Sequence, residues 1–369
     1  MEASTMTREY EILQNKINLK ISNSQHDVEA GVRKIEELGD SLTDFITPIG
    51  TNSLVNFSSN GSVKMEVDGH DMSYGMHRHA IAQTADKYGI PTGYAKKLAS
   101  NGSQWERDLV SHTFNRYNEN TNSRRVLVRE VNGEVRGVLS DKYRRLNTPT
   151  IYSSFFSGLQ STGAVITEAW MDDTRSAVDT IYPTVMPVET PNNGIVNMVF
   201  GMRISNSDFG DGALIVQAYS INVVCLNGMT RSNIMRQIHL GTKIPDNMVM
   251  SENTYKLDTQ TSASAINDIV QNIYSKDNFE SQMASIVQAS TQKVDLEREI
   301  KKLPKAGVLK GELEQLNTVL IGNSAEDGVA GEATKWKLSN ALTAVARDSE
   351  GRRKRELEDI AGSFLKTVK

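Results

Sequence analysis

Two short apolar, β-branched runs on either side of Asn132-Gly133 form the clearest pattern in the chain. The runs cover residues 126–131 and 135–139. Asn-Gly between two such runs is typical of a type I′ turn, because both central residues of that turn must accept positive φ. We therefore predict a β-hairpin here.

The remaining pattern changes character along the chain. Helical spacing predicts helices before the hairpin, whereas apolar runs bounded by turn residues predict strands after it. Expected helices are at 26–45, 73–87, 92–98, 105–117, 148–159, 252–303, 336–345 and 355–365. Expected strands are at 62–67, 164–171, 176–188, 194–205 and 213–226. This order predicts an α+β fold with a curved antiparallel sheet, helices on one side of it, and a helical C-terminal region.

Three regions follow from these changes. Residues 1–60 look like a peripheral N-terminal segment, residues 61–245 an α+β core domain, and residues 246–369 a helical C-terminal region. The length of 369 residues agrees with two or three domains.

Composition excludes several classes of protein. Cys225 is the single cysteine, so an internal disulfide and a cysteine-based zinc site are both excluded. It lies in the apolar run 221–226, which predicts a buried side chain rather than a reactive thiol. The N-terminal stretch is polar, and no window has the length of apolar residues that a membrane span needs, so we expect a cytoplasmic protein.

Charge is gathered on the predicted hairpin. Residues 124–145 carry seven basic and three acidic side chains, a net charge of +4, whereas the whole chain is at −4. Guanidinium groups on a two-stranded ribbon can neutralise a phosphate backbone, and a tyrosine at its exit can stack on a base. The alternative is a solvated sheet face whose arginines pair with acids elsewhere. The candidate residues are Arg124, Arg125, Arg129, Arg136, Lys142, Tyr143, Arg144 and Arg145, with Tyr74 and Tyr117 as weaker stacking candidates.

A second basic stretch follows Asn227-Gly228. Residues 229–243 contain Arg231, Arg236 and Lys243 and no acid. A helix or loop packed beside the hairpin would make these residues the facing wall of a positive groove. An ordinary turn followed by a basic helix is the alternative.

Signatures of enzymes are mostly missing. The chain has no phosphate-binding Gly-x4-Gly-Lys-[Ser/Thr] loop, no His-Glu-x-x-His and no Gly-x-Ser-x-Gly. His70, His77 and His79 lie close together near acids, which leaves a metal-dependent enzyme as an alternative function. However, residues two positions apart on a helix are separated by about 200° of rotation, so His77 and His79 would not share a face. We predict no enzyme, no metal site and no cofactor.

The run Arg352–Arg355 opens the last predicted helix. Cations at a helix N-terminus oppose the macrodipole, so this run indicates an outside partner or nearby acids. Nucleic-acid contact by this run is one interpretation, and a solvated face is favoured.

Several strings resemble the phage/plasmid-like protein family, a domain of unknown function. They are GVLSDKYRRLNTP (137–149), GMRISNSDFGDGAL (201–214), VVCLNGM (223–229), HLG (239–241), IAQTADKYGIPTGYAKKL (81–98) and WKLSNALTAVARD (336–348). Phage proteins associated with this family include single-stranded-DNA-binding cofactors that recruit a phage RNA polymerase. The resemblance therefore implies a role in phage DNA metabolism, in the cytoplasm of a host cell.

Together, the charge pattern and the resemblance predict a phage protein that binds single-stranded DNA without sequence preference. Its partners would be single-stranded DNA and a phage RNA polymerase or a replication or recombination protein, and no membrane. A single-strand annealing or recombination protein is the alternative within the same class. Self-association through the helical region 252–303 and the preference for DNA or RNA are left open.

Overall fold

The computed structural model describes residues 2–67, 72–237, 239 and 250–365. It begins with a 40-residue helix, α1 (Glu2–Ser41). The helix expected over 26–45 is therefore the second half of a longer one. It ends at Ser41 because strand β1 (Leu42–Ile49) starts at the next residue and pairs along its whole length with the first strand of the hairpin.

Sheet A is built from the first six strands. These are β1, β2 (Val55–Asn60), β3 (Ser62–Val67), β4 (Met72–Met76), β5 (Arg124–Val131) and β6 (Glu134–Ser140). Their order is β1-β5-β6-β4-β3-β2, and every neighbouring pair is antiparallel except β4 with β6. Residues 42–60, which the sequence assigned to a peripheral segment, thus contribute two strands of this sheet.

Three helices cover one face of sheet A. They are α2 (Arg78–Lys87), α3 (Thr92–Asn101) and α4 (Gln104–Asn120). Ile81 of α2 and Phe114 of α4 belong to the same buried cluster as Val126 and Val128 of β5. Burial of such side chains stabilises the layer by roughly 1.5–3 kcal/mol each.

Helix α4 also covers the edge strand β2. Asn115 Nδ2 donates to Phe57 O at 2.7 Å, and Phe57 N donates to Asn115 Oδ1 at 2.8 Å. Asn118 Nδ2 donates to Val55 O at 2.8 Å, while its Oδ1 accepts from Gly50 N at 2.6 Å. These side-chain amides satisfy backbone groups that a sheet edge otherwise exposes.

Sheet B is a curled half-barrel. Its strands are β7 (Val165–Met171), β8 (Ser176–Ile181), β9 (Met186–Thr190), β10 (Gly194–Asn206), β11 (Leu214–Asn222) and β12 (Asn227–Gln237). The order is β12-β11-β10-β8-β7, and β9 pairs with β10. Helices α5 (Thr148–Leu159) and α6 (Glu252–Ile273) bury Phe155 and Ile266 with Ile204 and Val216 of the sheet.

The C-terminal region is helical. It consists of α7 (Lys276–Thr291), α8 (Leu296–Ile300), a 3₁₀ helix (Leu303–Ala306), α9 (Lys310–Gly322), α10 (Lys335–Arg347) and α11 (Gly351–Ser363). Helix α11 lies so close to β12 that a Cβ on Gly362 would stand 1.4 Å from Thr230 O. Only glycine fits at this contact.

The structure confirms the α+β class, the helical C-terminal region and the hairpin turn. Asn132 and Gly133 have φ of 53° and 84°, as a type I′ turn requires. Cys225 is buried, as predicted. Other predicted elements were wrong or incomplete. The helix expected over 73–87 is strand β4 followed by α2, and the helix or loop expected after Gly228 is strand β12. The strand expected over 176–188 is two strands, β8 and β9, and the helical stretch expected over 252–303 is divided into three helices that end at Ile300.

Candidate nucleic-acid interface

The hairpin β5–β6 lies in the middle of sheet A rather than standing free as a ribbon. β5 pairs with β1 on one side and with β6 on the other. Val126 and Val128 face the helical layer, whereas Leu127 packs with Leu139 and Tyr143 in a separate buried cluster on the hairpin. Most of the hairpin is therefore covered, and the predicted solvent-facing arginine ribbon is wrong.

Arg129 is fully buried, so its predicted contact with phosphate is wrong. Its Nε donates to Asp44 Oδ1 at 2.8 Å, its Nη1 to Asp208 O at 2.7 Å, and its Nη2 to Asn147 Oδ1 at 2.6 Å. Burial opposes the charged form, but Asp44 and Asp208 outweigh it and raise the pKa of Arg129. This arginine ties β5 to β1 and to the start of α5.

Tyr143 is buried as well, so the prediction that it stacks on a base is wrong. Its ring stacks on His239, with centroids 4.9 Å apart and planes 4° apart. Its hydroxyl donates to Ser207 O at 3.0 Å. Both the ring and the hydroxyl are occupied, and burial raises the pKa of Tyr143 well above its ordinary value. Tyr74, a weaker candidate, is half-buried and stacks on Phe45.

The two arginines after Tyr143 pair with acids of α6. Arg144 donates from Nε and Nη2 to the two carboxylate oxygens of Asp258, at 2.7 and 2.6 Å. Arg145 is buried, donates from Nη1 to Glu252 Oε2 at 2.7 Å and lies over the ring of Tyr255 at 4.9 Å. These pairs hold α6 against the hairpin exit. They agree with the alternative interpretation of the charge pattern, in which the arginines pair with acids elsewhere in the chain.

Arg136 and Lys142 are also engaged. Arg136, with a side chain 19% exposed, pairs with Glu134 two residues earlier at 3.1 Å, and its Nη1 donates to Asp173 O at 3.3 Å. Lys142 is half-buried and has interactions of its own. Neither offers a free charge of the kind that the hairpin interpretation required.

Arg124 and Arg125 are the hairpin candidates that remain exposed, at the start of β5. Arg124 lies close to Lys87, the last residue of α2. Burial lowers the pKa of Lys87, the charge of Arg124 lowers it further, and Asp86 acts in the opposite direction. Within the described ranges, neither the Lys87 nor the Arg124 side chain forms a hydrogen bond or an ion pair. Arg125 is near Tyr255: burial raises the pKa of Tyr255, and the charges of Arg145 and Arg125 oppose that rise.

An exposed aromatic ring packs against Tyr88, the residue that follows Lys87. Tyr117, near the end of α4, is 42% exposed and packs against Tyr88 with ring centroids 6.2 Å apart. Tyr88 is buried, donates from its hydroxyl to Asn118 Oδ1 at 2.8 Å and feels the charge of Arg124. We name Lys87, Tyr88, Tyr117 and Arg124 the Lys87–Arg124 cluster.

Local sequence explains why these elements meet. Tyr88 is the C-cap of α2, its N–H bonding the carbonyls of Thr84 and Ala85, and Gly89 at φ 72° turns the chain away. The end of α4 is fixed at the same place by Asn118. Sequence reasoning missed Lys87 because a lysine at a helix C-terminus is ordinary, and its nearness to Arg124 depends on tertiary packing.

The predicted facing wall is arranged differently. Arg236 is exposed on β12, and Arg231 has its backbone in the same strand although its side chain lies outside the described residues, as does Lys243 entirely. β12 belongs to sheet B rather than to sheet A. Beyond it, His239 O accepts from Arg144 N at 3.0 Å, which brings the chain to the hairpin exit.

His77 and His79 each have a partner within the protein. His77 Nε2 lies 3.5 Å from Asp173 Oδ2, and His79 Nε2 bonds Phe209 O at 2.9 Å. His70 is outside the described residues. In the part of the chain that the structure describes, no group of three or more histidine, cysteine, aspartate or glutamate side chains could hold a metal ion.

The basic run at the start of α11 forms ion pairs with acids elsewhere in the protein. Arg352 binds Asp172 and Asp211, both at 2.8 Å, while Arg353 binds Glu312. Lys354 and Arg355 share Glu168, at 2.8 and 3.0 Å. Every member of the run Arg352–Arg355 therefore contacts an acid of another element, which is the nearby-acid explanation of the sequence pattern.

No helix in the described ranges has the length and the apolar character needed to cross a lipid bilayer. The protein was also compared with known proteins, and no protein-family model, curated protein or solved structure matched it.

Proposed function

We propose that the protein binds single-stranded DNA without sequence preference, through the Lys87–Arg124 cluster. The observation that carries this proposal is a pair of neighbouring cations with no acid paired to either in the described chain, beside an exposed tyrosine ring. Burial first, and then the charge of Arg124, lower the pKa of Lys87, and a phosphate placed at the pair would offset that charge repulsion. An unstacked base could then lie on Tyr117.

The exposed ring of Tyr117 and the overall negative charge of the chain favour single-stranded over duplex DNA. A base can reach an exposed ring only when it is not stacked inside a duplex. The chain as a whole is at −4, so long-range repulsion opposes coating of a duplex, which has the higher charge density. A role in phage DNA metabolism, with a phage RNA polymerase as partner, rests on the resemblance of the sequence strings.

The test is binding of a fluorescent single-stranded oligonucleotide across a salt series, with the matching duplex and RNA. Lys87→Glu and Arg124→Glu should each weaken binding about five- to tenfold near 0.1 M salt. Each should also reduce the log–log salt slope by about 0.7 for every phosphate that the protein no longer neutralises. Lys276→Glu is the control, since Lys276 has the same charge and is 87% exposed on α7.

Replacement of Tyr117 tests the stacking half of the proposal. Tyr117→Ala should reduce affinity by roughly 1–3 kcal/mol, with the salt slope unchanged, and Tyr117→Phe should bind like the parent. If folded Lys87→Glu and Arg124→Glu proteins bind the oligonucleotide as tightly as Lys276→Glu, the cluster is not the site. A strand-annealing assay on the same proteins separates passive binding from annealing.

A further inference from the structure

A polar cleft separates helices α2 and α3 from the turns of sheet B. Its volume is about 600 Å³, which lies within the range of about 300–1,000 Å³ for small-molecule sites. One wall carries Arg78 from α2 with Lys96 and Lys97 from α3. The opposite wall carries Asp172 and Asp211 with Arg352 of α11.

Two of the three acids that line the cleft are already paired with an arginine. Arg352 Nη2 lies 2.8 Å from both Asp172 Oδ2 and Asp211 Oδ2. Asp172 Oδ1 accepts the backbone N–H groups of Thr174 and Arg175, each at 2.8 Å. These bonds consume the acceptor capacity of that wall and fix its side chains.

The cations of the other wall are not compensated. Arg78, Lys96 and Lys97 are exposed, and in the described part of the chain none of them has a hydrogen bond or an ion pair. The third acid of the lining, Asp173, faces His77 instead, at 3.5 Å. The cleft therefore presents three free positive charges toward a space larger than a single anion.

We propose that this cleft binds a polyphosphate-bearing small molecule of the nucleoside triphosphate class, with its phosphates on Arg78, Lys96 and Lys97. A chain of phosphates supplies several negative charges and many acceptor oxygens over a short length, which matches three neighbouring donors better than a single carboxylate does. The remaining volume accommodates the nucleoside. This site goes beyond the proposed DNA binding and uses other residues.

The test is calorimetric titration of the full chain at low salt with three probes: ATP, inorganic tripolyphosphate and adenosine. ATP and tripolyphosphate should bind, and adenosine should not. The Lys96→Glu/Lys97→Glu protein should bind ATP at least tenfold more weakly, because two charge-assisted hydrogen bonds to phosphate can no longer form. Both positions are exposed, so the fold should persist, which circular dichroism checks.

Controls separate this site from the DNA interface. Lys276→Glu and Lys87→Glu should leave ATP binding unchanged, while Lys96→Glu/Lys97→Glu should leave binding of the oligonucleotide unchanged. Absence of ATP and tripolyphosphate binding at millimolar concentration would overturn the proposal, as would parental ATP affinity in the double variant. Competition between oligonucleotide and ATP, with equal losses for both in the double variant, would assign the cleft to the DNA path and also overturn it.

Discussion

Replacement of Arg129 by methionine would distinguish an arginine that holds the fold from one that contacts DNA. Its guanidinium is completely buried and donates to the carboxylate of Asp44, to Asn147 and to the carbonyl of Asp208. Arg129→Met keeps much of the side-chain length but removes the cation that faces the buried Asp208 carboxylate, and leaves Asp44 only the more distant Arg145, at 3.6 Å. Removal of one partner from a buried ion pair costs about 3–5 kcal/mol, so we expect the free energy of unfolding to fall by that amount.

The assay is urea unfolding followed by circular dichroism, with Arg136→Met as the matched control on the same hairpin. Arg136 pairs with a half-exposed Glu134 two residues away, so its loss should cost about 1 kcal/mol or less. Equal stabilities of the two variants would refute this reasoning. So would an Arg129→Met protein that unfolds like the parent but has lost DNA binding, since that result would restore Arg129 as a contact residue.

Two further predictions concern stability. Burial lowers the pKa of His239 from 6.5 to about 4, so the fold favours the neutral ring; stability should be complete above pH 6.5 and fall by up to roughly 3 kcal/mol as the pH drops toward 4. In His239→Gln, the urea midpoint should change less with pH over this range. If it changes with pH as steeply as in the parent, His239 is not the group responsible. Asn118→Ala should cost roughly 2–4 kcal/mol, because the N–H of Gly50 and the carbonyl of Val55 lose their partner. Asn120→Ala, whose exposed amide bonds only its own helix, should unfold within about 0.5 kcal/mol of the parent, and equal losses in the two variants would refute the role of Asn118.

The sequence predicted correctly those features that depend on residues close together in the chain. The turn at Asn132-Gly133 follows from two backbone conformations, and the helices α10 and α11 follow from spacing within one element. Strand β4 pairs with β3 nearby in the sequence and with β6 about sixty positions away, and nothing in its own five residues records either pairing.

The sequence showed correctly that positive charge is concentrated on the hairpin, but the predicted nucleic-acid interface on the hairpin was wrong. The partner of Arg129 is 85 residues away, and the partner of Arg144 is 114 residues away. A count along the chain cannot show whether such distant acids arrive. The Lys87–Arg124 cluster was hidden for the opposite reason. Its members look ordinary in the sequence, and they become unusual only because two cations come together and, in the described chain, neither side chain forms an ion pair.

The pairing of the run Arg352–Arg355 decides how the chain can be dissected. A fragment that stops near residue 245, where the composition changes, keeps Glu168, Asp172 and Asp211 but loses the cations that neutralise them. Such a fragment would carry new negative charge directly beside the α2–α3 cleft and would repel phosphate-bearing ligands. Weak phosphate binding by an isolated core fragment would then result from the loss of these cations. Binding to the cleft should therefore be measured on the full chain.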